Sequence, residues 1–562
     1  MRTLLFSLAC IVSLNLSAQT NQPDALMSII EAELNRELTE FKKAPTPPYY
    51  IAYRVTDSQH GGVVASFGSL IQASTNRSRY LTTEVRVGDY SFDNSHPQED
   101  PYGMGFESFM GGGAAPLTFE DKPEAIQVSI WEQTQRDYRK ALTEYKNARS
   151  KKDSTEKAPI PDFSKENVTV YLEPAPAALS TIFNENEWKE RIKKISASFL
   201  GNPNIIEGEA SMRVEIERKY FISSEGARIA QNRAYAFLYI SGSIRAEDGD
   251  VIPLHKSYYA LTPAALPADN ILLEDVNKMI NQLEKLRVAP LAEPYTGPAI
   301  LYSHAAGVFF HEIFGHRVEG HRFKDQADGQ TFQGKVQEQV LPATMSITFD
   351  PTRSHFQEQA LNGYYKFDDE GIEGRKVKVV DKGVLKTFLM SRTPIKGFEK
   401  SNGHARTDGG APPVSRQSNL IIESEKLVEM ADLRKMLISE CKKQKKKYGY
   451  LFMDVMGGFT TTDRFMPNAF NIFPTEVYRV YTDGRPDELV RGVDLIGTPL
   501  AMFAEIKAAG DKSEVFTGFC GAESGSIPVT AISPSLFVKR IETQKKPVTQ
   551  IDKTLLPMPD IK

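Results

Sequence analysis

Residues 304–321 read HAAGVFFHEIFGHRVEGH and hold four of the nine histidines of this 562-residue chain. Ala305, Val308, Phe309 and Ile313 mark the segment as a buried helix. Imidazoles and carboxylates carried inside a protein need partners there, so the segment constrains whatever packs around it. Its core, His311-Glu312-Ile313-Phe314-Gly315-His316, is a His-Glu-x-x-x-His pattern. Chance would produce that pattern on the order of once in a hundred chains of this composition.

In the shorter HExxH pattern the histidines are four apart, roughly 40° around an α-helix, and both reach one zinc ion. Here they are five apart, which a regular α-helix would separate by roughly 140°. A π-bulge would return the pair to one face, and Gly315 has the backbone freedom to permit it. The spacing therefore predicts a locally widened or kinked helix between His311 and His316. Neutral imidazole suits zinc, and Glu312, beside the first ligand, is placed to serve as a general base. A catalytic zinc site takes a third protein ligand and leaves one position for water. There are three candidates. His321 ends the string HEIFGHRVEGH, His304 lies one to two turns upstream, and Cys520 sits in the glycine-flanked GFCGAESG at 518–525.

Composition narrows the function classes. Hydrophobic residues at 41% and charged residues at 25% exclude a disordered, collagen-like or polytopic membrane chain. Sixty-eight basic against 72 acidic residues leave no basic excess, so no nucleic-acid partner is expected. The opening MRTLLFSLACIVSLNLSA reads as a secretory signal. Arg2 starts it, Leu4 to Leu16 form its apolar stretch, and cleavage follows Ala18. That stretch is shorter than the ~20 residues of a membrane span, so an exported, periplasmic protein without an integral membrane segment is expected. Lipidation at Cys10 is the weaker reading, because apolar residues continue past it. Cys441 and Cys520 then remain, enough for one disulfide in an oxidising compartment. Cys441, beside Met436 and Leu437, reads instead as helix packing.

The length suggests two to four domains. Met27, Ile30, Leu34 and Leu38 give residues 24–44 helical periodicity, and residues 50–90 alternate as strands. Hairpins are expected at Glu225-Gly226 and Asp248-Gly249, and a helix at 270–287. GMGFESFMGGG at 103–113 reads as a flexible loop. A helix begins around Trp131, Tyr138 and Leu142, and a charged, exposed insert is expected near 140–165. Pro290, Pro294 and Pro298 mark a boundary. Beyond it, strands flank Asp381-Lys382-Gly383, another precedes Asp483-Gly484, and a helix is expected at 425–447. The expected fold is α+β with two main domains. An N-terminal α+β domain at 19–290 follows the signal at 1–18. A C-terminal β-rich domain at 291–545 carries the HExxxH helix just after the boundary, and 546–562 form a tail.

Several segments together resemble the TldD/PmbA family of metalloproteases. HEIFGHRVEGH is similar to that family's HExxxH helix. FDDEGIEGRKVKVVDKGVLKTFLMS at 367–391 resembles its Asp-Glu-Gly hairpin. PPVSRQSNLIIES at 412–424, with Arg416 and Asn419, resembles its Arg-x-x-Asn segment, and GFCGAESGSIPVT at 518–530 its cysteine loop. The chain keeps the metal motif and so resembles the TldD side rather than the metal-free partner. The resemblance implies His311, His316 and Cys520 as ligands of zinc and Glu312 as the catalytic base. It further implies hydrolysis of unfolded or modified peptides by a zinc-activated water, and a homodimer or a heterodimer with a related subunit. An exported chain with a charged insert departs from the family's well-known members. The alternative from another class is a non-catalytic peptide-binding or assembly subunit whose metal is structural.

Overall fold

Strand alternation shapes the N-terminal half. The computed structural model describes residues 24–96, 113–151, 160–324, 331–462 and 469–546. The expected signal with Cys10, the Gly-rich stretch up to Gly112, residues 152–159 of the charged insert and the tail after Lys546 lie outside the described residues. Helix α1 (Ala25–Phe41) starts at Asp24, whose carboxylate accepts the Met27 N–H at 3.1 Å. Strands β1 (Pro48–Ser66) and β2 (Ser69–Val87) are joined by Phe67-Gly68, both at positive φ, the two-residue turn that matches strand twist. Helices α2 (Pro123–Lys151) and α3 (Glu185–Ala197) follow, then strands β3 (Ile205–Ser223), β4 (Arg228–Arg245) and β5 (Val251–Ala260), then helix α4 (Asp269–Val288). These strands form an antiparallel sheet in the order β2-β1-β3-β4-β5.

Because successive side chains point to opposite faces, each strand sorts its residues between two layers. Ile51, Val55 and Val63 of β1, Met212 and Ile216 of β3, and Ala236, Leu238 and Ile240 of β4 are buried beneath α1 to α4. The opposite face carries Tyr50, Ala52, Phe221 and Ile229, which pack with Phe163 and with Phe367 of the C-terminal half. All four helices therefore cover one face, and the C-terminal half covers the other.

The C-terminal half is a larger mixed sheet packed against one buried helix. Its main elements are β6 (Tyr295–Leu301), α5 (Ser303–Ile313), α6 (Met430–Lys443), β7 (Tyr448–Thr460), β8 (Phe470–Tyr481), β9 (Val493–Gly497), β10 (Ile506–Ala522) and β11 (Gly525–Lys545). Pairing runs β6-β7-β8-β9-β11 and returns to β6, a closed ring. Strand β10 pairs with β11 outside the ring, and Asn419–Ser424 pairs with β11 in parallel. Helix α5 packs against β7, β10 and β11, with Val308, Phe309, Phe310 and Ile313 at most 1% exposed. The two halves are tied by polar contacts. Gln231 and Phe367 exchange side-chain and backbone hydrogen bonds at 2.8 and 3.1 Å, and Arg392 pairs with Glu225 at 2.7 Å.

The α+β class and the two-part architecture are as expected, and three local expectations are corrected. Residues 140–151 continue α2 rather than opening an insert. Asp162, Phe163 and Ser164 are buried rather than exposed, because Asp162 binds His96 and Lys324 while Phe163 fills the face opposite the helices. The helix expected from 425 begins at Met430, since Leu427 and Val428 instead pair with Ala509 and Gly510.

One buried acid in the N-terminal half makes stability depend on pH. Glu37 is 2% exposed; burial, opposed by the Tyr53 hydroxyl that donates to it, pushes its pKa up to about 7. A raised acid keeps its proton in the fold, so its contribution is full below about 4.5 and is lost as the pH rises through about 7. Replacing Glu37 with Gln is expected to flatten that loss, on the order of 2–4 kcal/mol, in urea denaturation at about pH 5 and pH 8.

Candidate metal centre

Helix α5 is apolar around most of its surface, so His311 and Glu312, which face the cleft, are held by the packing around them. The α-helix does not continue to His316. It ends at Ile313, and the chain turns through a 3₁₀ segment at Gly315–Val318. The expected departure from regular helix is present, in the kinked form with a tighter turn and not in the widened form. Its cause is packing at Gly315. A Cβ there would lie 1.9 Å from the Gln417 side chain, which itself donates to the His311 carbonyl at 3.3 Å.

The break brings the two imidazoles together, with ring centroids 5.1 Å apart at 81°. Cys520 arrives from the end of β10, two hundred residues later. His311 Nε2 lies 3.2 Å and His316 Nε2 3.3 Å from Cys520 Sγ, and the three donor atoms all lie within 4.8 Å of one another. Zinc bonds of about 2.0–2.1 Å to nitrogen and 2.3 Å to sulfur, at tetrahedral angles, put ligand atoms about 3.3–3.6 Å apart. The donor set and its spacing therefore fit zinc with three protein ligands. Among the described residues this is the sole group of three such side chains with that geometry.

The other two candidates for third ligand are elsewhere. His304 is 38% exposed, between Asp454 at 3.5 Å and Glu514 at 3.8 Å. His321 pairs through Nε2 with Glu523. Cys441 and Cys520 are both free thiols.

Electrostatics favour the ligating thiolate of Cys520 and a charged His316, whose proton a bound metal would displace. Burial pushes the Cys520 thiol up, but His316 and His311 outweigh it and hold the group well below its ordinary value. The thiolate is the form that binds metal. Burial pulls His316 down, and the Cys520 thiolate with the Glu319 carboxylate overrides it. Glu319 is the centre of the supporting shell. It meets His316 Nδ1 at 3.2 Å, Arg322 Nε at 3.0 Å and Arg416 Nε at 3.4 Å. Burial raises its carboxyl, yet His316 and the two arginines hold it at about 2. Arg416 also donates to the Cys520 carbonyl at 2.7 Å and to Ser524 Oγ at 2.8 Å, fixing the loop that carries the thiol. Such partners orient a metal-binding imidazole and set its tautomer.

The cluster opens into a cavity of about 520 Å³, lined by His311, Glu312, His316, Cys520, Gly457–Thr460, and, from the N-terminal sheet, Phe237, Tyr239 and His255. Glu312 is 7% exposed, and burial raises its carboxyl pKa against the pull of His311 and His316. Gly458 makes room for it, since a Cβ there would lie 3.0 Å from Glu312 Cγ. Sequence reasoning found His311, Glu312, His316 and Cys520. It assigned no role to Glu319, Gln417 or Gly458, and gave Arg416 none beyond its motif. Glu319, three residues after His316, was the one with a legible signal, because that spacing suits a side-chain pair on one helical turn.

A sequence profile described as the PmbA/TldA metallopeptidase C-terminal domain matches residues 294–545. The chain is 31% identical over 267 residues to a metalloprotease of Archaeoglobus fulgidus, a stretch covering 47% of this chain and 57% of that protein. It is 24% identical over 333 residues to a zinc metalloprotease TldD homolog of Saccharolobus solfataricus, covering 58% and 69%. The chain thus spans little more than half the length of the first relative. In fold it is similar to a protein described as a modulator of a DNA gyrase from Thermotoga maritima (TM-score 0.61, 16% identity, 92% and 100% of the two chains). It is also similar to TldE of Thermococcus kodakarensis (TM-score 0.60, 16% identity, 92% and 100%). The matched segment holds the whole candidate cluster, and over residues 294–545 the chain is similar to the C-terminal domain of the PmbA/TldA metallopeptidases.

Proposed function

We propose that this chain is an exported zinc metallopeptidase acting on unfolded polypeptide. The observation that carries the reading is the union, in one cavity, of a three-ligand cluster and a buried carboxylate on the adjacent helical residue. The names of the relatives, metalloprotease and zinc metalloprotease, support it. Three protein ligands beside an open cavity suit catalysis, whereas structural zinc sites are closed by four.

Zinc held by His311, His316 and Cys520 supplies Lewis acidity toward the substrate carbonyl and its attacking water. The thiolate donates more charge than a third imidazole, so slow turnover on generic peptides is expected. Glu312 accepts the proton of the attacking water on its carboxylate and returns it to the leaving amine. Burial raises its carboxyl above the ordinary carboxylate value, the direction a general base needs. Arg317 donates to the Glu312 carbonyl at 2.8 Å and so fixes the backbone that carries the base. Glu319 and Arg416 hold His316 and the Cys520 loop in place. A cleft between two halves admits an extended chain more readily than a folded domain.

Replacing Glu312 with Gln is expected to leave about one zinc per chain and to lower cleavage of an unfolded substrate by at least about 100-fold. Full activity in that variant would remove Glu312 from the mechanism. Cys520→Ser is expected to lose most of the zinc by elemental analysis, and Glu319→Gln to weaken zinc binding about 10–100-fold in competition with a chromophoric chelator. Zinc content unchanged in Cys520→Ser would overturn the ligand set. Export predicts a mature N-terminus at Gln19 by N-terminal sequencing, and retention of Met1 would refute it.

A further inference from the structure

The face of the N-terminal sheet that meets the metal cavity is aromatic by strand alternation. Along β4, Ala236, Leu238 and Ile240 point under the helices, so Tyr235, Phe237 and Tyr239 point into the cleft. On the neighbouring β5, Tyr259 stands opposite Phe237, and His255, on the same face, stacks on Tyr239 at 5.3 Å. Tyr235 and Tyr259 stack at 6.1 Å. Across the cleft, the residue before the thiol ligand completes the row. Phe519 is 41% exposed, and its ring lies 6.1 Å from both Tyr235 and Phe237.

Phe519 lines two cavities at once. One is the 520 Å³ space holding the cluster. The other is a space of about 880 Å³ reaching past Tyr235 and Tyr259 toward Arg233 and Asp408. A large, half-exposed ring between two cavities, beside a ligand, is placed to touch whatever spans them. The six rings offer broad surface for apolar and aromatic side chains beside the cluster, whereas the larger cavity is lined by charged groups such as Arg213, Glu217, Lys219 and Asp369.

Resting on the peptidase reading, we propose that Phe519 and the Tyr235–Phe237–Tyr239 row are the specificity surface of this site. They select extended polypeptide segments bearing aromatic or large aliphatic side chains next to the bond at the cluster, with the flanking segment in the larger cavity.

The test uses two fluorescent twelve-residue peptides, one of Gly, Ser and Thr with two Phe and a Leu, the other with those three replaced by Ser. Binding is read by anisotropy on the Glu312→Gln chain loaded with zinc, and cleavage on the parent chain. The apolar peptide is expected to bind at least about tenfold more tightly. Adding Phe519→Ser or Phe237→Ser is expected to bring the two affinities together, with zinc content retained as proof of an intact site. Phe519→Leu is expected to keep part of the preference. Equal affinities in the starting chain, or a preference that survives both serine variants, would overturn the proposal. Preferential binding lost in those variants, with no cleavage of either peptide by the parent, would sustain the surface while removing the peptidase reading. Cleavage of both peptides at equal kcat/KM would do the reverse.

Discussion

Burying helix α5 is the constraint on which the C-terminal half depends. A largely apolar helix needs neighbours around most of its surface, and β7, β10 and β11, with smaller contributions from β6, β8 and the ring of Phe503, supply them. His311 and Glu312 are carried inward by that burial, and His316 follows at the break. An ionisable group taken out of water costs several kcal/mol unless it is paired. Here the imidazoles and the thiol have answers within the chain. The thiol of Cys520 faces both imidazoles, Glu319 takes the far nitrogen of His316, and Arg322 and Arg416 balance Glu319.

The N-terminal half solves a different problem with one sheet. Its helices cover a single face, which leaves the other face to be covered by the rest of the chain. Near Phe367 the cover is tight and apolar, and salt bridges such as Arg392–Glu225 seal it. Farther along the same strands the two halves draw apart around the cavities. One alternating pattern thus produces both an interface and the wall of a cleft, and what separates the two uses is how closely the partner approaches.

Much of this was legible in the residues. The periodicity of Met27, Ile30 and Leu34 marked α1, the Asp-Gly and Glu-Gly turns marked the hairpins of β3, β4 and β5, and the histidine spacing demanded an irregular helix. The failures were those of local reasoning. Residues 160–164 follow a charged stretch and were expected to be exposed, yet Phe163 is buried because a distant sheet face lacked a cover. The break after Ile313 was foreseen as a widening or a kink, and the choice between them was hidden, because nothing near Gly315 in sequence reveals that Gln417 occupies the space beside it.

Chemistry-bearing residue types are a property of the sequence alone. The His-Glu-x-x-x-His pattern, an apolar helix around it and a glycine-flanked cysteine exist before any folding, and they already named the candidate donors and the candidate base. Which candidate joins the two histidines was decided by tertiary structure. His304 and His321 are nearer along the chain, but their imidazoles are turned to Asp454, Glu514 and Glu523. Cys520 is two hundred residues away and reaches the site because β10 pairs with β11 against α5. The aromatic wall opposite it has the same origin. Alternation along β4 puts Tyr235, Phe237 and Tyr239 on one face, and only the docking of the two halves determines what that face looks at.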